Sequence, residues 1–327
     1  MMATLDDIAR LAGVSATTVS RVINNYGSLS EKTKTKVFSA MQELNYQPNS
    51  LARSLKGKKT QLIGVILPGV SNPFFGQMVQ EIEDQLFKKG FKMILCNAGN
   101  DARKERDYLR MLMANRVDGI IAGSHNLGIE EYQKVGLPII SFDRYLSDNV
   151  PIVSSDNYQG GQLAAQSLIS SGSKNPQIIT GSNRPNSPTN SRLTGFKDVL
   201  EKHDLSYNLI ELPFSSSPNI KSLKIKELLT NKKIDGIFCT DDLTALLVKQ
   251  QAQALNLQIP TDIRLVGYDG TNFIQNYHPE LTTIMQPITD IVTMMIDLLL
   301  KRIDDPDCQL EKNYVLPVKL ITGATTI

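Results

Sequence analysis

The sequence predicts a small all-α head followed by an α/β body of two doubly wound parallel-sheet lobes. Three observations carry that expectation. Residues 4 to 24, TLDDIARLAGVSATTVSRVIN, show helical periodicity broken once, at Gly13. From residue 61 onward, short continuous apolar runs alternate with helical stretches, the pattern of parallel strands covered on both faces. After residue 157 the same rhythm starts again, so the body holds two such sets.

The head comes first. Thr4 is placed to cap a first helix, with Asp7 three residues on to close a capping box. Leu5, Ile8, Ala9 and Ala12 give that helix one apolar face, and Gly13 ends it because glycine takes the left-handed backbone cheaply. Ser15 caps a second helix. There Val19, Val22 and Ile23 face inward, which leaves Ala16, Thr17, Thr18, Ser20 and Arg21 for the outer side. Small polar residues and one arginine at the outer N-terminal end of a short helix suit the DNA major groove. The same pattern also fits an ordinary helical hairpin. Ser30 caps a third helix, EKTKTKVFSAMQEL, whose Val37, Ala40, Met41 and Leu44 close a three-helix core. Residues 1–60 carry 9 Lys and Arg against 4 Asp and Glu, whereas the remainder carries 26 against 29. A basic terminal unit on a mildly acidic body is the electrostatic footprint of a phosphate-binding head.

Between head and body, Pro48 stops the preceding helix, and Asn49 or Ser50 can cap a short new one with Leu51, Ala52 and Leu55 along one face. Seven or eight residues are too few to stay helical alone in water. A flexible basic linker is the alternative.

In the body, QLIGVILP, FKMILCNA, VDGIIAGS and LPIISFD form the first set of strands, with FFGQMVQEIEDQLFKKG and ARKERDYLRMLMAN as intervening helices. NPQIITG, YNLIELPF, KIDGIFCTD and DIRLVGYDG form the second. Ligands of open parallel sheets gather at the carboxyl ends of strands. The polar residues that close each run are therefore site candidates: Ser71, Asn72 and Phe74 after the first strand, then Asp143-Arg144, Asp156, Asp241-Asp242 and Asp269. Carboxylates, Asn and Arg hold sugar hydroxyls bidentately, and Phe74 offers a face for a pyranose ring. The competing readings are local. Asp156 and Asp242 fit helix caps, Phe74 or Phe75 fits the core, and Asp143-Arg144 fits an ion pair.

Composition bounds the class. The chain has 327 residues, 41% apolar and 21% charged, enough for two or three domains. It has no run of 18 apolar residues and no basic-then-apolar leader, so neither a membrane span nor a secretory signal is expected. Cys96, Cys239 and Cys308 are few, odd in number and far apart, which fits isolated thiols in a reducing cytoplasm. His125, His203 and His278 are scattered, so no metal site is expected. No Ser-His-Asp order, Walker loop or glycine-rich dinucleotide turn points to an enzyme.

TLDDIARLAGVSATTVSRVIN, LSEKTKTKVFSAMQELNYQPN and SLARSLKGKKTQLIGVILP are followed in order by SNPFF, CNAGND, VDGIIAGSHNLGI, PIISFDR, IPTDIRLVGYDG and LTTIMQP. Together these segments resemble the lactose-repressor family of bacterial transcription regulators over nearly the whole chain. VDGIIAGSHNLGI, PIVSSDNYQGGQLAAQSL and NSPTNSRLTGF are most similar to its sucrose-operon branch in low-GC Gram-positive bacteria.

The resemblance implies a helix-turn-helix domain over 1–47, a hinge helix and linker over 48–60, and an effector-binding and dimerisation domain over 61–327. The latter has the architecture of periplasmic sugar-binding proteins. The chain is expected to cross between lobes near residues 157, 286 and 316, with an N-lobe of about 61–157 and 287–315 and a C-lobe of about 158–286 and 316–327. Operator contacts fall on Thr4, Ser15, Ala16, Thr17, Thr18, Ser20, Arg21 and Asn24. Ser30 and Thr33 meet phosphates, and Asn49, Ala52 and Leu55 act in the hinge, with Leu55 as a minor-groove wedge. Ala16 and Thr17 fill the family's main specificity positions, small enough to meet a thymine methyl. Effector contacts fall on Asn72, Phe74, Asp143, Asp156, Arg192, Asp241 and Asp269, with Gln286 added at a lobe crossover.

Other expectations follow from the same resemblance. The effector is sucrose-6-phosphate or another sugar, with Arg184, Arg144 or Arg192 available for a phosphate, and no cofactor is required. The stretch NRPNSPTNS lacks the second arginine with which some members read an anionic purine-like effector. The chain ends soon after KLITG, without a leucine-heptad tail, which leads to an expected homodimer on a pseudo-palindromic double-stranded operator. The expected location is the cytoplasm, at the nucleoid. The alternative within the same fold is a catabolite control regulator whose corepressor is a phosphorylated carrier protein.

Overall fold

The computed structural model divides into two compact units, Met1–Thr60 and Gln61–Ile327, and among the described residues of the first stand three capped helices. The structure describes residues 3–23, 26–46, 59–124, 126, 128–181, 187–213, 216–230 and 233–327. Helix α1 (Leu5–Ala12) opens on a complete capping box: the Asp7 N–H donates to Thr4 Oγ1 at 3.3 Å and the Thr4 N–H to Asp7 Oδ2 at 3.0 Å. It closes on Gly13 at φ +63°, where a Cβ would be strained. Helix α2 (Ala16–Ile23) is held at its start by Ser15, whose Oγ accepts the Thr18 N–H at 3.2 Å. Helix α3 (Glu31–Glu43) is capped by Ser30. Ile8, Val19 and Val37 are fully buried where the three helices meet, with Ala9, Ala12, Val22 and Ala40 around them and Met41 and Leu44 at the edge.

The second unit contains two six-stranded sheets. In the first, β1 (Leu62–Leu67), β2 (Lys92–Asn97), β3 (Gly119–Ala122), β4 (Ile139–Phe142), β5 (Ile152–Ser155) and β11 (Asn313–Leu316) are all parallel, in the order β11-β5-β4-β3-β1-β2. In the second, β6 (Pro176–Thr180), β7 (Asn208–Glu211), β8 (Gly236–Cys239), β9 (Arg264–Asp269), β10 (Thr282–Met285) and β12 (Lys319–Ile321) follow the order β12-β10-β9-β8-β6-β7. Only the pairing of β10 with β12 is antiparallel in that sheet. Each strand order reverses beside the sheet's first strand, β1 or β6, which is where doubly wound sheets open a crevice at their carboxyl ends.

Helices α4 (Pro73–Lys88) and α11 (Ile288–Asp304) cover one face of the first sheet. The run ITDIVTMMIDLLL therefore lies mostly in a core, with Ile291, Val292, Met295 and Ile296 fully buried. Helix α5 (Ala102–Ala114) covers the other face. The second sheet is covered by α6 (Asn157–Ser170) and α7 (Ser191–Lys202) on one side and by α8 (Pro218–Leu229) and α9 (Asp242–Ala254) on the other. A short α10 (Asn272–Tyr277) follows β9. The chain passes between lobes three times: from β5 into α6, from β10 into α11, and from β11 into β12. Cys96 and Cys239 are buried free thiols on strands, and burial pushes the Cys96 thiol up to about 11.

Candidate functional site

A cavity of about 470 Å³ lies where the carboxyl ends of the two sheets face each other. That size is within the usual range for small-molecule sites. Asn72, Phe74, Asp143, Arg192, Asp241, Asp269 and Gln286 all line it. Asp156 does not. Its carboxylate accepts the Gln159 N–H at 2.8 Å and caps α6, as expected for an aspartate one residue before a helix.

Arg192, in the first turn of α7, is the centre of the arrangement. Its Nε donates to Asn157 Oδ1 at 2.7 Å, its Nη1 to the Thr240 carbonyl at 2.8 Å, and its Nη2 lies 3.8 Å from Asp143 Oδ2. The guanidinium carbon stands 3.7 Å from the centroid of the Tyr268 ring. Asn157 completes the link, because its Nδ2 donates to Asp143 Oδ1 at 3.0 Å. One arginine thus joins β4 of one lobe to β8 and β9 of the other, through a residue at the β5–α6 crossover.

Asp143 and Asp269 close β4 and β9 with the backbone at φ +53° and +118°, conformations that cost non-glycine residues about 1–3 kcal/mol and recur at binding sites. Burial raises the Asp143 carboxyl above its ordinary range, while Arg192, Arg144 and Asn157 pull it down. Burial holds Asp269 well above that range, reinforced by the nearby Asp242 and opposed by Arg192 and by the Gln286 amide. Gln286 is fixed at the second crossover, donating to Asp269 Oδ1 at 2.8 Å and accepting from Ser155 Oγ at 2.8 Å.

The remaining candidates have double roles. Asn72 caps α4 by accepting the Phe74 N–H, and Phe74 is only 4% exposed, packed edge-on against Phe75 and beside Phe142. Asp241 caps α9, taking both the Thr244 N–H at 2.7 Å and the Thr244 hydroxyl at 2.8 Å. Arg144 Nη1 donates to the Asp143 carbonyl at 2.9 Å and to Ser187 Oγ at 2.7 Å, another tie between the lobes. The chemistry is recognition. Fixed carboxylates, an amide, a guanidinium and an aromatic wall suit a polyhydroxylated ligand. Among the described residues, no group of His, Cys, Asp and Glu is placed to hold a metal ion, and no helix is long and apolar enough to cross a membrane.

In the head, Thr17 and Arg21 are exposed on α2, and Ser15 and Ser30 on the turns before α2 and α3. Thr4 is exposed at its cap, while Thr18, Ser20 and Thr33 are half-buried. Ala16, one turn before Val19, packs at the edge of the core rather than wholly outward. Asn24, Asn49, Ala52, Leu55 and Arg184 lie outside the described residues, as does the hinge helix. Sequence reasoning missed Asn157, Tyr268 and Thr240. Only the position of Asn157 directly after a strand-end aspartate hinted at its role.

Comparison with known proteins is consistent along the whole chain. Residues 4–49 match the bacterial regulatory proteins of the lacI family, and residues 60–307 match the family of periplasmic binding proteins and the sugar binding domain of LacI family. Over 321 residues, 98% of either chain, the sequence is 61% identical to the sucrose operon repressor of Pediococcus pentosaceus. The lac repressor dimer bound to operator and the anti-inducer ONPF superposes with a TM-score of 0.85 at 28% identity, covering 100% of both chains. A periplasmic binding protein/LacI transcriptional regulator from Alkaliphilus metalliredigens, complexed with D-xylulofuranose, gives 0.74 at 33% identity, covering 82% of this chain and 99% of that one.

Proposed function

The chain belongs to the lacI family of bacterial regulatory proteins, and from that premise we propose that it is the repressor of a sucrose-utilisation operon, released from its operator by a sugar bound between the two lobes. The observation that carries this reading is the cleft itself. Arg192, Asp143, Asp269 and Gln286 converge there from both lobes, in a chain that also carries a capped helix-turn-helix with Thr17 and Arg21 exposed.

Two copies bind a two-fold operator, as the lac repressor dimer does. Thr17, Thr18 and Arg21 read base edges, and Ser30 and Thr33 meet phosphates. The hinge carrying Asn49, Ala52 and Leu55 orders on the minor groove. Asn72, Phe74, Asp143, Arg192, Asp241, Asp269 and Gln286 hold the sugar. A ligand that touches both lobes favours the lobe arrangement that fits it, and a coupling of about 1–3 kcal/mol lowers operator affinity roughly 5- to 150-fold. The effector is sucrose 6-phosphate or another sugar, and the protein acts in the cytoplasm as a regulator rather than an enzyme.

Fluorescence anisotropy on a palindromic site upstream of the chain's own gene cluster tests this, with sucrose, fructose and sucrose 6-phosphate titrated at fixed salt. Release by one of the three is expected. Tight binding unmoved by all three would sink the sucrose assignment and bring a carrier-protein corepressor forward.

A further inference from the structure

Three cations stand among the described residues that line the cleft, and the protein uses them unequally. Arg192 is held internally: its Nε donates to Asn157 and its Nη1 to the Thr240 carbonyl, its Nη2 lies 3.8 Å from Asp143, and its guanidinium carbon stands over the Tyr268 ring. Arg144 spends Nη1 on the Asp143 carbonyl, Ser187 and Thr189. Lys221 differs. It sits half-buried on the first turn of α8, and among the described residues no hydrogen bond or ion pair engages its ammonium.

The carboxylates of the same cavity do not supply its counter-charge. Asp143 faces Asn157 and Arg192, Asp241 accepts from Thr244, and Asp269 accepts from Gln286. None of them lies within ion-pair distance of Lys221. The cleft therefore carries one cation that its own carboxylates do not pair. At the lobe crossovers hydrogen bonds link Asp143, Asn157 and Arg192, and Asp269, Gln286 and Ser155, leaving carboxylate lone pairs that can accept from hydroxyls. On α8 stands a cation whose three donors meet no partner among the described residues. An ammonium in that position gains most from a ligand oxyanion, because a charge-assisted hydrogen bond is about twice as strong as a neutral one.

We propose that Lys221 is the phosphate-reading residue of the cleft, so that the effector lies with its sugar ring at the Arg192 end and its phosphate monoester on the Lys221 ammonium. This rests on reading the cleft as a sugar-effector site. It moves phosphate recognition away from Arg192, whose Nε and Nη1 already donate to Asn157 and to the Thr240 carbonyl, to a residue that strand-end reasoning does not reach. Specificity then divides in two. The crossover residues select the polyol, and Lys221 selects the phosphorylated form over the free sugar.

Isothermal titration calorimetry on the full chain, with sucrose 6-phosphate, sucrose and inorganic phosphate as separate probes, tests it. Wild-type protein is expected to bind sucrose 6-phosphate at least roughly tenfold more tightly than sucrose, the size of one charge-assisted contact. Lys221→Gln should erase most of that preference with sucrose affinity held, and Lys221→Arg should retain it. The preference should also shrink with added salt in wild type and not in Lys221→Gln. A full preference surviving in Lys221→Gln would overturn the assignment while leaving the sugar-phosphate reading intact, and its loss in Arg184→Gln instead would show where the phosphate is read. No preference in wild type would remove the sugar-phosphate reading itself, and Lys221 with it.

Discussion

The guanidinium carbon of Arg192 stands over the ring of Tyr268, 3.7 Å from its centroid, with both side chains buried at the junction of the two lobes. This stack and the hydrogen bonds to Asn157 and to the Thr240 carbonyl together hold the guanidinium in place. Lysine has a point charge and no plane, so it cannot reproduce this arrangement.

Replacing Arg192 by lysine should therefore leave a folded protein that binds operator but responds to sugar at least roughly tenfold more weakly, one charge-assisted contact being worth that much. Arg192→Ala should cost more in stability, about 3–5 kcal/mol, because the buried Asp143 carboxylate loses its partner. Urea unfolding together with sugar titration of the operator complex separates the two effects. An Arg192→Lys protein with an unchanged sugar response would contradict the role given to the stack.

Arg192 also depends on how closely α7 approaches α6. A Cβ at Gly161 would collide with the Arg192 carbonyl and stand 2.8 Å from the Phe196 nitrogen, and a Cβ at Gly195 would collide with the Tyr158 carbonyl. These are backbone atoms, which cannot swing aside. Gly161→Ala should cost about 1–3 kcal/mol and weaken sugar binding as α7 is pushed away. Ile237→Val, a trim of about 0.5–1.5 kcal/mol in the core of the same lobe, should leave sugar affinity unchanged. Calorimetry on both proteins distinguishes a displaced arginine from general destabilisation.

Stability should fall as pH rises towards neutrality. Asp242 is buried at the start of α9, where Thr283 Oγ1 donates to it at 2.6 Å and the Gly270 N–H at 2.7 Å. Burial, with Asp241 nearby, lifts its pKa to about 7. An unfolded aspartate titrates near 3.9, so between about 4 and 7 the folded state holds the proton more tightly. This contribution is full below the unfolded value and is lost as pH rises through the folded one. Asp269 shifts in the same direction. Asp242→Asn should flatten the dependence, because the amide oxygen still accepts from Gly270 and the Thr283 hydroxyl can turn to accept. Urea midpoints at pH 5.5 and 8 measure it, and an undiminished drop in Asp242→Asn would assign the slope to other groups.

The head has a small core, so one deep truncation should remove it. Ile8 is fully buried against Val19 and Val37, and Ile8→Ala should cost about 2–5 kcal/mol, comparable to the whole stability of so small a unit. Operator binding should disappear while calorimetric sugar binding persists. Loss of both would mean that the sugar site needs an intact head.

The parts of this protein legible in its sequence are those set by local rules. Thr4, Gly13, Ser15 and Ser30 mark the head helices because caps are read from neighbours three residues away. The apolar runs mark the strands, and the strand-end rule brings Asp143, Asp241 and Asp269 to one cavity because every strand bearing them ends on the same side. Long-range pairing was not legible. Arg192 meets Asn157 across 35 residues, and Tyr268 lies 111 from Asn157, distances at which nothing in the chain announces a partner. Asp156 and Asn157 show how fine the distinction is. The first caps the helix ahead of it by accepting the Gln159 N–H, and the second reaches back to donate to Asp143.

Reciprocity is the most direct test of coupling between cleft and operator. Sucrose 6-phosphate affinity is measured by calorimetry on the free protein and on its operator complex, and operator affinity is measured with and without saturating sucrose 6-phosphate. Linkage requires the two ratios to agree, and the expected factor is roughly 5- to 150-fold in favour of the operator-free protein. Equal affinity for free and operator-bound protein would mean that the cleft does not control the head.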